Sequence, residues 1–233
     1  MTTAAERLAR RRAHAACRPA VDLTSQIASD VMNQGPRPTC VACVITAAHE
    51  AERPGFEAAV EPIWWRLREW HLADEKGTTL RSAGQALSRT GHCEAHLWPY
   101  NNALGFDTEP PPAAAGTPPW TCADLDSVSI VHDGVEDAIE DELAAGHPVM
   151  LVVEVSAGFE SPEPDGFIPV PLITAPAAGY HAVLIVGAWT DPTHDRVFLI
   201  RNSWGDYWAA GGYGLLPVGY LIDFGAQAAR VLV

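Results

Sequence analysis

The stretch Asn33 to Cys43, NQGPRPTCVAC, puts a thiol at the start of a helical pattern and an amide side chain six positions upstream on a Gly-turned loop. A thiol at a helix N-terminus faces the positive end of the helix dipole and unbonded backbone amides, and both favour the thiolate. Cys40 is therefore a candidate nucleophile. A thiolate attacking an acyl carbon generates an oxyanion, which needs donors such as a side-chain amide and the backbone N–H of the nucleophile. Gln34 suits the first role. The same stretch also reads as a helix that buries a small apolar cysteine after a polar turn.

A second constellation lies far along the chain. Tyr180-His181-Ala182-Val183 opens a strand pattern, and Arg201-Asn202-Ser203-Trp204-Gly205 ends the next. A neutral imidazole accepts a thiol proton, and an amide oxygen on its other nitrogen sets tautomer and ring orientation without adding negative charge. Asn202 is placed for that, and Trp204 to cover the His181–Asn202 hydrogen bond against water. A strand-end histidine capped by a turn asparagine and packed by tryptophan is the alternative.

These residues need elements to hold them. Residues Cys40 to about Glu52 suit a helix with Thr39 as N-cap, Pro62 to Ala73 a second, Leu80 to Ser88 a third and Val135 to Ala145 a fourth. Between Glu109 and Pro119 the run EPPPAAAGTPP sustains neither helix nor ladder and reads as a surface crossing between two halves. Pro148 to Val155, His181 to Trp189, Val197 to Arg201 and Gly212 to Leu216 read as strands. A helical part followed by a sheet part is an α+β arrangement with a cleft between.

NQG…CVA, HAVLIVG and FLIRNSWGDYW…GGYG occur in this order, and on those motifs the chain resembles the papain-like cysteine peptidases from about Asp22 to Leu216. GHCEAHLWPY and the helix-then-strand before the histidine are similar to bacterial-type members. The resemblance implies a two-lobed fold beyond a basic leader at 1–21: a helical lobe at about 22–115 and an antiparallel β-sheet or barrel lobe at about 116–233. It implies Cys40 as nucleophile, His181 as general base and then acid, Asn202 as its orienter, Gln34 as oxyanion donor and Trp204 as shield. Gly77 and Thr78 look like the cleft segment whose backbone pairs with an extended substrate. The implied activity is hydrolysis of peptide bonds in a peptide or protein substrate, without metal or cofactor. Other thiol-dependent acyl transfer, amidase or transglutaminase-like, uses the same machinery, and a catalytically silent peptide-binding module is a further alternative.

There are departures. The family usually has Cys-Gly-Ser-Cys-Trp where this chain has Arg37-Pro38-Thr39-Cys40-Val41, so the upstream disulfide cysteine and the aromatic after the nucleophile are missing. About 21 residues precede the similar region, too few for a folded inhibitory propeptide, so control is expected from restricted access, a regulatory partner or narrow specificity.

The formal charge of −14 over 233 residues argues against nucleic acid as a partner, and no apolar run reaches the roughly 18 residues of a membrane span. The first 21 residues carry +4 through Arg7, Arg10, Arg11, Arg12 and Arg18 against Glu6. They lack a secretory apolar core, and an organelle transit peptide or a docking helix fits their composition. Five cysteines, an odd number, fit a reducing compartment, and a cytoplasmic location is expected. Cys40 and Cys43 also have redox-pair spacing, although a Pro-rich loop rather than a βα unit precedes them, and His92, Cys93 and His96 match no common zinc spacing. Cys43 is expected to be core, and the acidic run Glu136 to Glu142 the wet side of a helix.

Overall fold

A computed structural model describes residues 6, 9, 13, 17–130, 135–174 and 178–233 of the chain. Most of the Arg-rich leader lies outside the described residues; Arg18, within them, binds Asp137 at 3.1 Å and Asp141 at 2.8 Å. The helical pattern after Thr39 forms α1 (Cys40–Ala51), and every residue from Val41 to Ala51 is buried. Helices α2 (Glu61–Glu69) and α3 (Leu80–Arg89) pack beside it. Helix α2 stops four residues short of the expected end because His71 turns to φ 55° and Leu72 N–H bonds back to Leu67. Thr79 caps α3 by accepting from Ser82 N–H at 3.1 Å.

All strands pair antiparallel. They are β1 (Val21–Asp22), β2 (Asp124–Val128), β3 (Val149–Glu154), β4 (Tyr180–Asp191), β5 (Asp195–Arg201), β6 (Tyr213–Pro217) and β7 (Gly225–Leu232). Their order is β2-β7-β3-β4-β5-β6, with β1 paired to β4. A bulge between Ile185 and Gly187 lets β1 approach, since a Cβ on Gly187 would lie 2.6 Å from Val21 O.

Strand alternation divides the apolar residues between two cores. Ala182, Leu184 and Val186 of β4 meet α1, whereas Val183 and Ile185 meet Ile139 and Leu143 of α4 (Val135–Ala144). A four-residue α5 (Ala157–Glu160) and α6 (Val218–Phe224) close that second face with Phe159, Tyr220 and Leu221. Burial on both faces explains the continuous apolar run of β4.

Three expectations need correction. The hydroxyl of Thr39 caps nothing and instead meets Tyr100 Oη at 2.7 Å. The run Glu136 to Glu142 is not uniformly wet: Glu140 is buried because Arg196 from β5 reaches it with two nitrogens. The Pro-rich crossing is not wholly superficial, because Ala115 is buried beside Trp98 and accepts from Trp120 Nε1 at 2.6 Å.

Behind α1 lies a chain of neutral imidazoles. Thr46 Oγ1 donates to Ala42 O at 2.7 Å, so it accepts from His92 Nε2 at 3.0 Å. His92 Nδ1 then accepts from His49 Nδ1–H at 2.8 Å. Burial holds His49 down at about 4 and His92 well below its ordinary value. His92 is thus spent on structure, and among the described residues no three His, Cys, Asp or Glu side chains converge as metal ligands would.

Between pH 6.5 and 4 the unfolded chain binds protons that the folded His49 refuses. Its stabilising contribution is therefore whole above pH 6.5 and lost as pH falls toward 4, about 3 kcal/mol for this ring. Urea midpoints at pH 7 and pH 4.5 should show this loss, and a joint His49→Leu, His92→Leu variant should remove much of it. An unchanged pH dependence in that variant would refute the assignment.

Candidate active site

Cys40 is the first residue of α1, and His181 is the second residue of β4. Because α1 lies on β4, the two reach one cleft of about 430 Å³, with Val152, Ala182, Thr78 and Gln227 also in its walls. The backbone N–H groups of Ala182, Val41 and Cys40 point at the thiol and favour the thiolate, as the helix start predicts. Burial outweighs them, and the thiol's pKa is raised. The dipole of a helix start alone would lower it; desolvation of this sulfur reverses the direction.

His181 is 5% exposed. Its Nε2 lies 2.6 Å from Asn202 Oδ1, and the same oxygen accepts from Ser203 N–H at 2.8 Å. An oxygen that takes a backbone N–H can only accept from the ring, so Nε2 carries the proton and Nδ1 keeps its lone pair. Trp204 lies over the imidazole, ring centroids 4.5 Å apart. Phe159 stands edge-on to both rings, at 6.0 Å from His181 and 5.6 Å from Trp204. This apolar casing pushes the imidazole down to about 4, with the Asn202 bond opposing.

Gln34 is buried near the foot of the same motif. Its Oε1 accepts from Ser203 Oγ at 2.6 Å and its Nε2 donates to Arg37 O at 2.8 Å, leaving one amide N–H uncommitted among the described residues. Gln34 N–H donates to Ser203 O, and Gly205 N–H to Met32 O. The amide loop and the Asn202 motif are thereby zipped together.

The expected cleft pair divides. Gly77, at φ 104°, exchanges both backbone bonds with Asp74 at 2.9 Å, so its N–H is spent on a turn and only the second lone pair of its carbonyl is open. Thr78 lines the cleft. Cys43 is buried against Met32 and Thr39, its thiol pushed up to about 12, which fits core and not a redox partner. Sequence reasoning missed Phe159, Ser203 and Tyr100. Ser203 stands inside the NSWG motif and Tyr100 ends the GHCEAHLWPY stretch, whereas Phe159 left no signal of spacing.

Residues 76–221, more than half the chain, match the model of the papain family of cysteine proteases. The chain belongs to that family. The matched span holds His181 and Asn202 and begins beyond Cys40. Xylellain, a cysteine protease from Xylella fastidiosa, is 26% identical with a TM-score of 0.75, covering 95% of this chain and 88% of that one. An uncharacterised peptidase C1-like protein of Acanthamoeba polyphaga mimivirus is 27% identical over 166 residues, 68% of this chain and 52% of its own length. Cysteine proteinase 2 of Zea mays is 36% identical over 97 residues, 41% of this chain and 26% of its own. The papain-family chain therefore spans about half or less of the curated relatives it matches.

A site that works by sharing one proton between Cys40 and His181 should fail as pH falls through about 4, where the ring takes up a proton while the thiol keeps its own. Trp204→Ala should admit water to the ring and move that acid limb upward toward 6.5. A pH profile of kcat/KM tests both, and a wild-type limb already at 6.5 would contradict the desolvated ring.

Proposed function

We propose that the protein is a cysteine peptidase that hydrolyses peptide bonds with Cys40 as nucleophile, His181 as base and acid, and Asn202 as the ring's orienter. The observation that carries this is the 2.6 Å contact of His181 Nε2 with the Asn202 amide oxygen, which sets the tautomer. With Nε2–H committed to Asn202, only Nδ1 is open, and the ring shares its cleft with Cys40. Cys40 Sγ attacks the scissile carbonyl as its proton passes to Nδ1. The oxyanion is met by Cys40 N–H and the free amide N–H of Gln34. The C–N bond breaks, the amine leaves with the proton from Nδ1, and water attacks the thioester to release the acid and restore the thiol.

The substrate in this reading is an extended peptide or protein segment lying past Thr78. The neutral orienter suits the mechanism, because the imidazolium formed in the first step then meets no carboxylate that would hold its proton back from the leaving amine. Five unpaired thiols, two of them buried, support work in a reducing compartment such as the cytoplasm.

Cys40→Ala should abolish turnover of a fluorogenic peptide without changing the thermal transition, while Gln34→Ala should lower kcat by about 10²–10³. A peptidyl epoxide should label wild-type protein on Cys40 and leave Cys40→Ala untouched. Turnover surviving in Cys40→Ala would move the nucleophile elsewhere. Product analysis with an added amine separates hydrolysis from acyl transfer, and a predominant amide product would overturn the peptidase assignment.

A further inference from the structure

Position 37 lies between the proposed oxyanion donor and the proposed nucleophile, and it holds an arginine that is 1% exposed. All five N–H groups of its guanidinium are used. Two go to the carboxylate of Glu61, itself 1% exposed, and three to the main-chain oxygens of Asn101, Gly105 and Asp107 at 2.9, 3.2 and 3.3 Å. The Tyr100 ring lies 4.7 Å from the guanidinium carbon. Glu61 also accepts from Asn101 N–H at 3.0 Å, so the ion pair and the 100–107 segment order each other.

These groups converge on the loop that carries the chemistry. The Tyr100 hydroxyl donates to Gln34 O at 3.0 Å, and its one hydrogen being spent, it accepts from Thr39 Oγ1. Arg37 O accepts from Gln34 Nε2. Gln34 is thus held at both its main-chain oxygen and its side-chain amide by residues belonging to one buried cluster, and Thr39, next to Cys40, is held by the same hydroxyl.

Resting on the mechanism above, we propose that Arg37 is a positioning residue: the buried Arg37–Glu61 pair, with Tyr100, is a thiol-free clamp that sets Gln34 and the Cys40 N–H as one rigid oxyanion-binding unit. An apolar plug would fill the space but orphan three carbonyls. Lysine keeps the charge, yet has three donors on a point charge in place of five in a planar fork. The clamp needs a guanidinium.

Arg37→Lys and Glu61→Gln should lower kcat by about 10–100-fold, short of the full loss of an oxyanion donor, with KM within about twofold. Alkylation of Cys40 by iodoacetamide needs a thiolate and no oxyanion hole, so its rate should stay within about twofold of wild type. In a Gln34→Ala background Arg37→Lys should cost little further, because both changes remove the same interaction. Tyr100→Phe keeps the ion pair and deletes only the hydroxyl, so it remains informative where the charged variants fail to fold, and it should lower kcat severalfold.

Unchanged kcat in folded Arg37→Lys or in Tyr100→Phe would overturn the clamp, as would full additivity with Gln34→Ala or a parallel loss of alkylation. None of these outcomes touches the peptidase reading, which fails only if Cys40→Ala remains active or wild-type Cys40 escapes the peptidyl epoxide.

Discussion

Everything at the site depends on α1 being enclosed. Ala42, Ile45 and Ala48 have no more than 1% exposure, and Ala182, Leu184 and Val186 of β4 receive them. Each fully buried Ile, Leu or Val in that contact contributes about 1.5–3 kcal/mol. A helix gripped in this way cannot slide or roll without opening cavities, so the thiol at its first residue has a fixed address relative to the second residue of β4. The active-site distance is set by core packing before any polar contact is made.

Polar contacts then decide protonation. Burial raises the Cys40 thiol and lowers the His181 imidazole, so each group alone resists its charged form. A proton passing from one to the other creates both charges together, where each stabilises its partner and the N–H groups of Val41, Cys40 and Ala182 help the sulfur. An acidic orienter would add a third charge to a dry site. Asn202 supplies the geometry at no such cost. Permanent charge is kept elsewhere, as in Arg37–Glu61 and Arg196–Glu140, where each carboxylate is matched by an arginine.

Much of the fold was legible because its signals are local. The apolar faces of α1 and α3, the Gly and Pro boundaries and the β-branched runs of β3, β4 and β5 all lie within windows of a few residues. Strands β2 and β7 and helix α6 were not legible. The β2 segment, DLDSV, carries two aspartates and only two apolar residues, and β7, GAQAARVL, is rich in alanine and begins with glycine. They are strands because β7 pairs with both β2 and β3, a constraint that no local window contains.

At the site, the sequence by itself determined which atoms are available: a thiol at a helix start, an imidazole at a strand start, two amides and a covering tryptophan. Tertiary structure decided how they are used. It assigned Nε2–H to His181 through an oxygen that Ser203 also claims, and it spent the backbone N–H of Gly77 on a turn. It gave Thr39 to Tyr100 and made Arg37 the centre of a buried ion pair where the chain alone showed only a missing cysteine. Residue type fixes donors, acceptors and charge, but tautomer, desolvation and partnership depend on what lies within about 3 Å, and here those neighbours come from segments as far apart in sequence as Met32 and Gly205.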